Sequence, residues 1–248
     1  MSKTSKANER AQRAAEMRAA QEKREARRRM LTIGGVVLVM ALIVGGAIAI
    51  SAWQRDKDQD KLADAASARS EYGLTVGEED APHTVVIYED FLCPFCGALE
   101  QEISDDLTRL AADGKVLVEY RPFDLLSEAY GDYPIRAASA FALVLEKSGA
   151  EVAKEFHDLL FENQPSEQDP DAVTDEDLID LAVKAGAQES DVREGIEQVS
   201  HRDWVTKATA NARSAGVQGT PTVLLDGEVF DDGRTVTDLA DNLVEAIE

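Results

Sequence analysis

The sequence predicts an α/β protein whose sheet is interrupted by an all-helical insertion and preceded by a single N-terminal transmembrane helix. Three observations carry that expectation. Residues 31–53 form an uncharged stretch of 23 residues. A β-branched run, an amphipathic helical pattern and a second β-branched run follow one another between residues 84 and 120. Helical periodicity alone then fills residues 131–216 before strand signals return at Thr222.

Residues 1–30 hold ten Lys/Arg and four Glu, a net +6, so the remaining 218 residues carry −28 of the total charge of −22. The acidic body argues against nucleic-acid binding and against a cationic membrane-surface module. As a helix, residues 31–53 would span ~35 Å, enough to cross a bilayer. Arg27, Arg28 and Arg29 precede the stretch, Trp53 sits at its end, and Asp56, Asp58 and Asp60 follow. The positive-inside bias places residues 1–30 in the cytoplasm and the body outside the cell membrane, single-pass. A cleaved signal peptide has a shorter apolar core, so a retained anchor in the lipid bilayer is the expectation. Residues 54–70 read as a polar stalk without a core of its own.

From Glu71 the chain reads as globular. Thr84-Val85-Val86-Ile87-Tyr88 is a buried strand, and Leu99, Ile103, Leu107 and Leu110 mark an amphipathic helix. Gly114 stops that helix, and Val116-Leu117-Val118-Glu119-Tyr120 supplies a strand parallel to the first. Helical spacing recurs over Ile135–Leu145, Val152–Phe161, Leu178–Val183, Val192–Val199 and Val205–Ala212. Thr174 and Asp177 form a capping box, and Gly186 closes that helix. Thr222–Leu225 and Glu228–Phe230 make a hairpin about Asp226-Gly227, and an amphipathic helix runs from Val236 to Ile247.

Cys93 and Cys96 are the only cysteines, in Phe91-Leu92-Cys93-Pro94-Phe95-Cys96-Gly97. Two cysteines placed at random would fall three apart only ~1% of the time. They sit where the first strand meets the first helix, so Cys93 lies over free backbone N–H groups and the positive end of the helix dipole. Pro94 suits the first helical turn because its missing N–H would have no partner there. Cys93 is therefore expected to be an exposed nucleophile with a pKa between ~3.5 and ~7, and Cys96 its more buried partner. Zinc usually needs four ligands, and His83, His157 and His201 are scattered, so no metal is assigned. Copper(I) on two thiolates remains a rival. His157 is expected in helix packing or at a surface. Tyr88, Phe91 and Phe95 are expected to form an apolar docking patch beside the dithiol.

Three stretches carry a resemblance: Tyr88-Glu89-Asp90-Phe91-Leu92-Cys93-Pro94-Phe95-Cys96-Gly97, Phe156-His157-Asp158-Leu159-Leu160-Phe161-Glu162-Asn163-Gln164-Pro165, and Gly219-Thr220-Pro221-Thr222-Val223. Over most of residues 71–248 the chain resembles the thioredoxin fold, and within it the DsbA-like thiol–disulfide oxidoreductases, particularly the membrane-anchored ones of actinobacteria. The resemblance implies a thioredoxin-like domain over 71–130 and 217–248, with a helical domain inserted at 131–216. It makes Cys93 and Cys96 catalytic, Pro94 and Phe95 the active-site dipeptide, and Thr220 and Pro221 a cis-proline loop that docks substrate. It implies exported cysteine-containing polypeptides as substrates, a membrane quinone-linked reoxidase as partner, no cofactor and a monomeric enzyme.

Many relatives place a buried acid six residues before the first cysteine as a proton relay to the second, where this chain has Ile87. Glu89 and Asp90 are candidate replacements, although strand alternation puts them on opposite faces. Phe95 stands where the strongest oxidases carry histidine. A disulfide reductase or isomerase of the same fold therefore remains open, as does a Cu(I)-binding metallochaperone.

Overall fold

The structure is a computed structural model that describes residues 69–248 continuously, together with residues 17, 23, 30, 40, 42–51, 53, 57 and 61–66. It divides into two compact units, Met1–Asp56 and Lys57–Glu248. In the first unit, residues 42–51 are helical and exposed. Among the described residues no helix is long and apolar enough to cross a membrane. Much of the anchor expected at 31–53 lies outside the described residues, as does nearly all of the basic tail at 1–30.

The second unit is built on a five-stranded sheet in the order β1-β3-β2-β4-β5. Its strands are β1 (Leu74–Val76), β2 (His83–Glu89), β3 (Val116–Pro122), β4 (Thr222–Leu225) and β5 (Glu228–Val229). β2 and β3 run parallel, with Ile87 opposite Tyr120, and are joined by α1 (Pro94–Ala112). The other pairings, β1 with β3, β2 with β4 and β4 with β5, are antiparallel. A parallel pair needs a crossover, and the periodic apolar face of α1 supplies it.

β2 lies in the middle of the sheet and is covered on both faces, hence its unbroken apolar run. Val85 and Ile87 pack with α1 and the C-terminal helix, whereas Val86 and Tyr88 pack with Leu62, Phe123, Ala208, Ala212 and Leu224. The period of two therefore places Glu89 on the α1 side, the face that Ile87 occupies.

Between β3 and β4 come α2 (Ser127–Tyr130), α3 (Tyr133–Ser148), α4 (Ala150–Glu162), α5 (Asp175–Lys184), α6 (Glu189–Glu197) and α7 (Arg202–Ser214). The Thr174–Asp177 capping box forms as expected at the start of α5. Asp226 and Gly227, with φ of 53° and 87°, make the β4–β5 turn, and α8 (Val236–Ile247) ends the chain. β1 and α2 are too short, at three and four residues, to leave a periodic signature.

Part of the expected stalk belongs to the core. Residues 61–66 are helical, Leu62 is buried against the sheet, and Arg121 Nη1 donates to the Ala65 carbonyl at 2.9 Å. The single apolar side chain of this segment was too sparse a signal to read as packing.

Candidate active site

α1 begins one residue after Cys93, which occupies its N-cap, and Pro94 fills the first turn. Both thiols are free. The sequence predicts an exposed Cys93, and here the structure differs: Cys93 is only 4% exposed and Cys96 1%, because the β2–α1 turn is folded into the core. The Cys93 Sγ lies 3.3 Å from the Thr220 carbonyl oxygen, and the Thr220–Pro221 peptide bond is cis. The last hairpin thus brings residues 127 positions apart into contact with the dithiol.

The Cys96 thiol bonded to the Cys93 sulfur holds the Cys93 pKa down at about 6. Burial opposes this, while the Thr220 side chain and the backbone N–H groups of Cys96 and Phe95 add to it. Burial pushes the Cys96 thiol well above its ordinary value, and its bond to Cys93 and the nearby Glu89 carboxylate push the same way. The two sulfurs are thereby split into a thiolate and a thiol near neutral pH. That split is what directional thiol–disulfide exchange requires.

Gln164, just past α4, clamps the turn by donating from Nε2 to the carbonyls of Phe91 and Cys93 at 2.9 and 3.0 Å. Gly97 leaves room for it, since a Cβ there would lie 2.6 Å from Gln164 Oε1. Asp90 accepts hydrogen bonds from the backbone N–H groups of Leu92, Leu125 and Leu126, fixing the strand end to the loop after β3. Burial nevertheless raises its carboxyl to about 6. Phe95 is exposed at 63%, but Tyr88 and Phe91 are buried, so the three do not form the expected patch. Phe95 instead lines a groove of about 410 Å³ with Thr220, Pro221, Val229, Phe230 and Leu239.

Glu89 and Asp90 are both fully buried rather than split between a buried and a solvent face, because Asp90 lies past the strand and escapes its alternation. Glu89 Oε1 is 2.6 Å from His157 Nε2, and Asp158 Oδ1 is 3.0 Å from Nδ1. Burial disfavours a charged imidazole, yet the Glu89 and Asp158 carboxylates keep His157 protonated up to about 10. The rings of Tyr120, Phe161 and Phe91 surround it at 4.5, 5.1 and 5.8 Å. Glu89, Glu100 and His157 offer ligand atoms within 4.8 Å of one another. With both ring nitrogens facing carboxylates, the imidazole acts as an ion-pair partner rather than a metal ligand.

His157, Glu100 and Gln164 are the site residues that the sequence reading missed. The available signal was a polar face on an apolar helix: Lys154, His157 and Asp158 recur at helical spacing on α4, and Glu100 follows Cys96 by one turn on the buried side of α1.

A sequence profile described as thioredoxin matches residues 69–245. Among curated proteins, the probable disulfide bond formation protein D of Bacillus cereus is 28% identical over 205 residues, covering 81% of this chain and 90% of that protein. The serine/threonine-protein kinase PknE of Mycobacterium tuberculosis is 27% identical over 158 residues; the match covers 61% of this chain but only 28% of the kinase. Among solved structures, the reduced disulfide bond oxidoreductase DsbG of M. tuberculosis aligns with a TM-score of 0.63 at 27% identity, covering 75% of this chain and 91% of that one. Reduced DsbA of M. tuberculosis aligns with a TM-score of 0.59 at 28% identity, covering 71% and 92%.

Proposed function

The chain belongs to the thioredoxin family and is a DsbA-like member of it, and from that premise we propose a membrane-tethered, extracytoplasmic oxidase. It gives the Cys93–Cys96 disulfide to exported proteins. The observation that carries this reading is the unequal pair of sulfurs: Cys93 held down at about 6 beside the Thr220 carbonyl, and Cys96 buried and protonated. A low pKa makes Cys93 a good leaving group and favours the reduced enzyme, so its disulfide is oxidising.

A substrate thiolate attacks the Cys93 sulfur and forms a mixed disulfide. The Cys93–Cys96 bond breaks, and Cys96 leaves with its electron pair and takes up a proton. A second substrate thiolate then attacks the substrate sulfur of the mixed disulfide and releases Cys93 as thiolate. The substrate is oxidised by two electrons and the enzyme reduced by two. Thr220 and Pro221 border the groove in which an extended substrate segment would lie, with its backbone within reach of Thr220.

Glu89 and Asp90 remain the candidate proton relays, since both surround Cys96, Glu89 by its charge and Asp90 by a backbone hydrogen bond. The reduced enzyme would pass its electrons to a membrane partner linked to quinone. The uncharged stretch at 31–53 supports an anchor with residues 1–30 in the cytoplasm.

The test is catalysed oxidation of a reduced, unfolded client by the purified oxidised domain, with thiol trapping in cells alongside. The proposal expects rapid client oxidation, lost in Cys93→Ser, and a mostly oxidised pair at steady state. A pair found mostly reduced in cells would point instead to the reductase or isomerase reading.

A further inference from the structure

Glu100 is buried at 4% exposure, one helical turn beyond Cys96, and neither of its carboxylate oxygens has a hydrogen-bond partner in the protein. A carboxylate in that position would be expensive to ionise, and no cation is paired directly with it. Its surroundings are unusually complete. From β2 comes Glu89, from β3 Tyr120, from α4 Lys154, His157 and Asp158, and from α1 itself Cys96 and Ser104.

Lys154 Nζ sits 2.6 and 2.7 Å from the two Asp158 oxygens and 3.0 Å from Ser104 Oγ, and His157 lies between Glu89 and Asp158. Two cations thus face two carboxylates, and the cluster is neutral only when Glu100 carries a proton. Burial pushes its carboxyl up to about 8, with His157 and Lys154 opposing and Glu89 and Asp158 adding to the rise.

The cluster also has an outlet. A cleft of about 240 Å³ between α1 and α4 is lined by Glu100, Ser104, Asp158 and Glu162, so Glu100 stands between solvent and the protein interior behind Cys96. We propose that Glu100 holds the proton taken up by Cys96 when the Cys93–Cys96 disulfide opens, passing it through the Glu89–His157 pair and regaining it from solvent through this cleft.

This inference rests on the thiol–disulfide exchange proposed above. In that step the attacking thiolate forms a bond to the Cys93 sulfur, and the electron pair of the broken bond moves to Cys96. The Glu100 proton neutralises the new thiolate while Glu100 becomes a carboxylate. The transfer runs downhill, because a buried thiol holds a proton more tightly than Glu100 does. Glu100 acts on the sulfur through its neighbours and is a positioning residue.

The experiment is stopped-flow reduction of the oxidised protein by dithiothreitol from pH 5.5 to 9.5, corrected for the thiolate fraction of the reagent. The wild-type rate should fall through an ionisation near pH 8. In Glu100→Gln, which keeps shape but cannot titrate, the rate at pH 7 should drop about tenfold and the limb near pH 8 should vanish. The Cys93 thiolate absorbance should still titrate near 6, and Glu100→Asp should regain part of the rate. A wild-type profile without that limb overturns the proposal, even if Glu100→Gln fails to fold. So does a Glu100→Gln rate and profile equal to wild type. Dithiothreitol reduction is independent of client identity and of the direction of disulfide flow in the cell, so a failure here is distinct from failure of the oxidase reading.

Discussion

At the scale of single residues, the dithiol is governed by which sulfur water can reach and which hydrogen bonds favour its charged form. Cys93 gains its low pKa first from the Cys96 thiol and then from Thr220 and the first backbone N–H groups of α1. Removing the thiol donor in Cys96→Ala should therefore raise the Cys93 pKa from about 6, read by thiolate absorbance near 240 nm. An unchanged or lower value would mean that the helix terminus alone sets it. The dithiol and Pro221 were legible in the sequence because spacing and local composition mark them. The buried charges were not. Glu89, His157 and Glu100 are 68 or fewer positions apart yet meet through β2, α1 and α4, and no local pattern states that an acid on one element faces an imidazole on another. Strand alternation does show, once β2 is placed, that Glu89 shares the face of Ile87.

At the scale of elements, the site depends on how closely α4 approaches the start of α1. Gly97 is the narrow point, because Gln164 passes over it to hold the Phe91 and Cys93 carbonyls. Gly97→Ala should force Gln164 away and cost about 1–3 kcal/mol, measured by urea unfolding, through carbonyls left without a partner. Made in a Gln164→Ala background, the same substitution should cost much less. Equal costs in both backgrounds would show that the clamp is not what the glycine serves. The helices of the insertion were readable from the sequence because each has an amphipathic face several turns long. β1, α2 and the packed helix at residues 61–66 were not, since three to six residues hold too few apolar positions to establish a period.

At the scale of the whole molecule, the pKa of one thiol links folding to redox state. Cys93 ionises at about 6 in the folded reduced protein against an ordinary value of 9.0, so this thiol contributes stability above pH 9 and loses it as pH falls through 6. The stability of the reduced protein, minus that of reduced Cys93→Ser, should accordingly rise from pH 6 to 9. A flat difference in urea unfolding across that window would contradict the assigned pKa. The oxidised protein has no thiolate to stabilise, so the same interactions bias the dithiol–disulfide equilibrium toward the reduced form and make the disulfide oxidising. The central claim is therefore tested most directly by the Cys93–Cys96 reduction potential against glutathione. The account predicts a value nearer ~−120 mV than ~−270 mV, and a potential at or below ~−270 mV would contradict it.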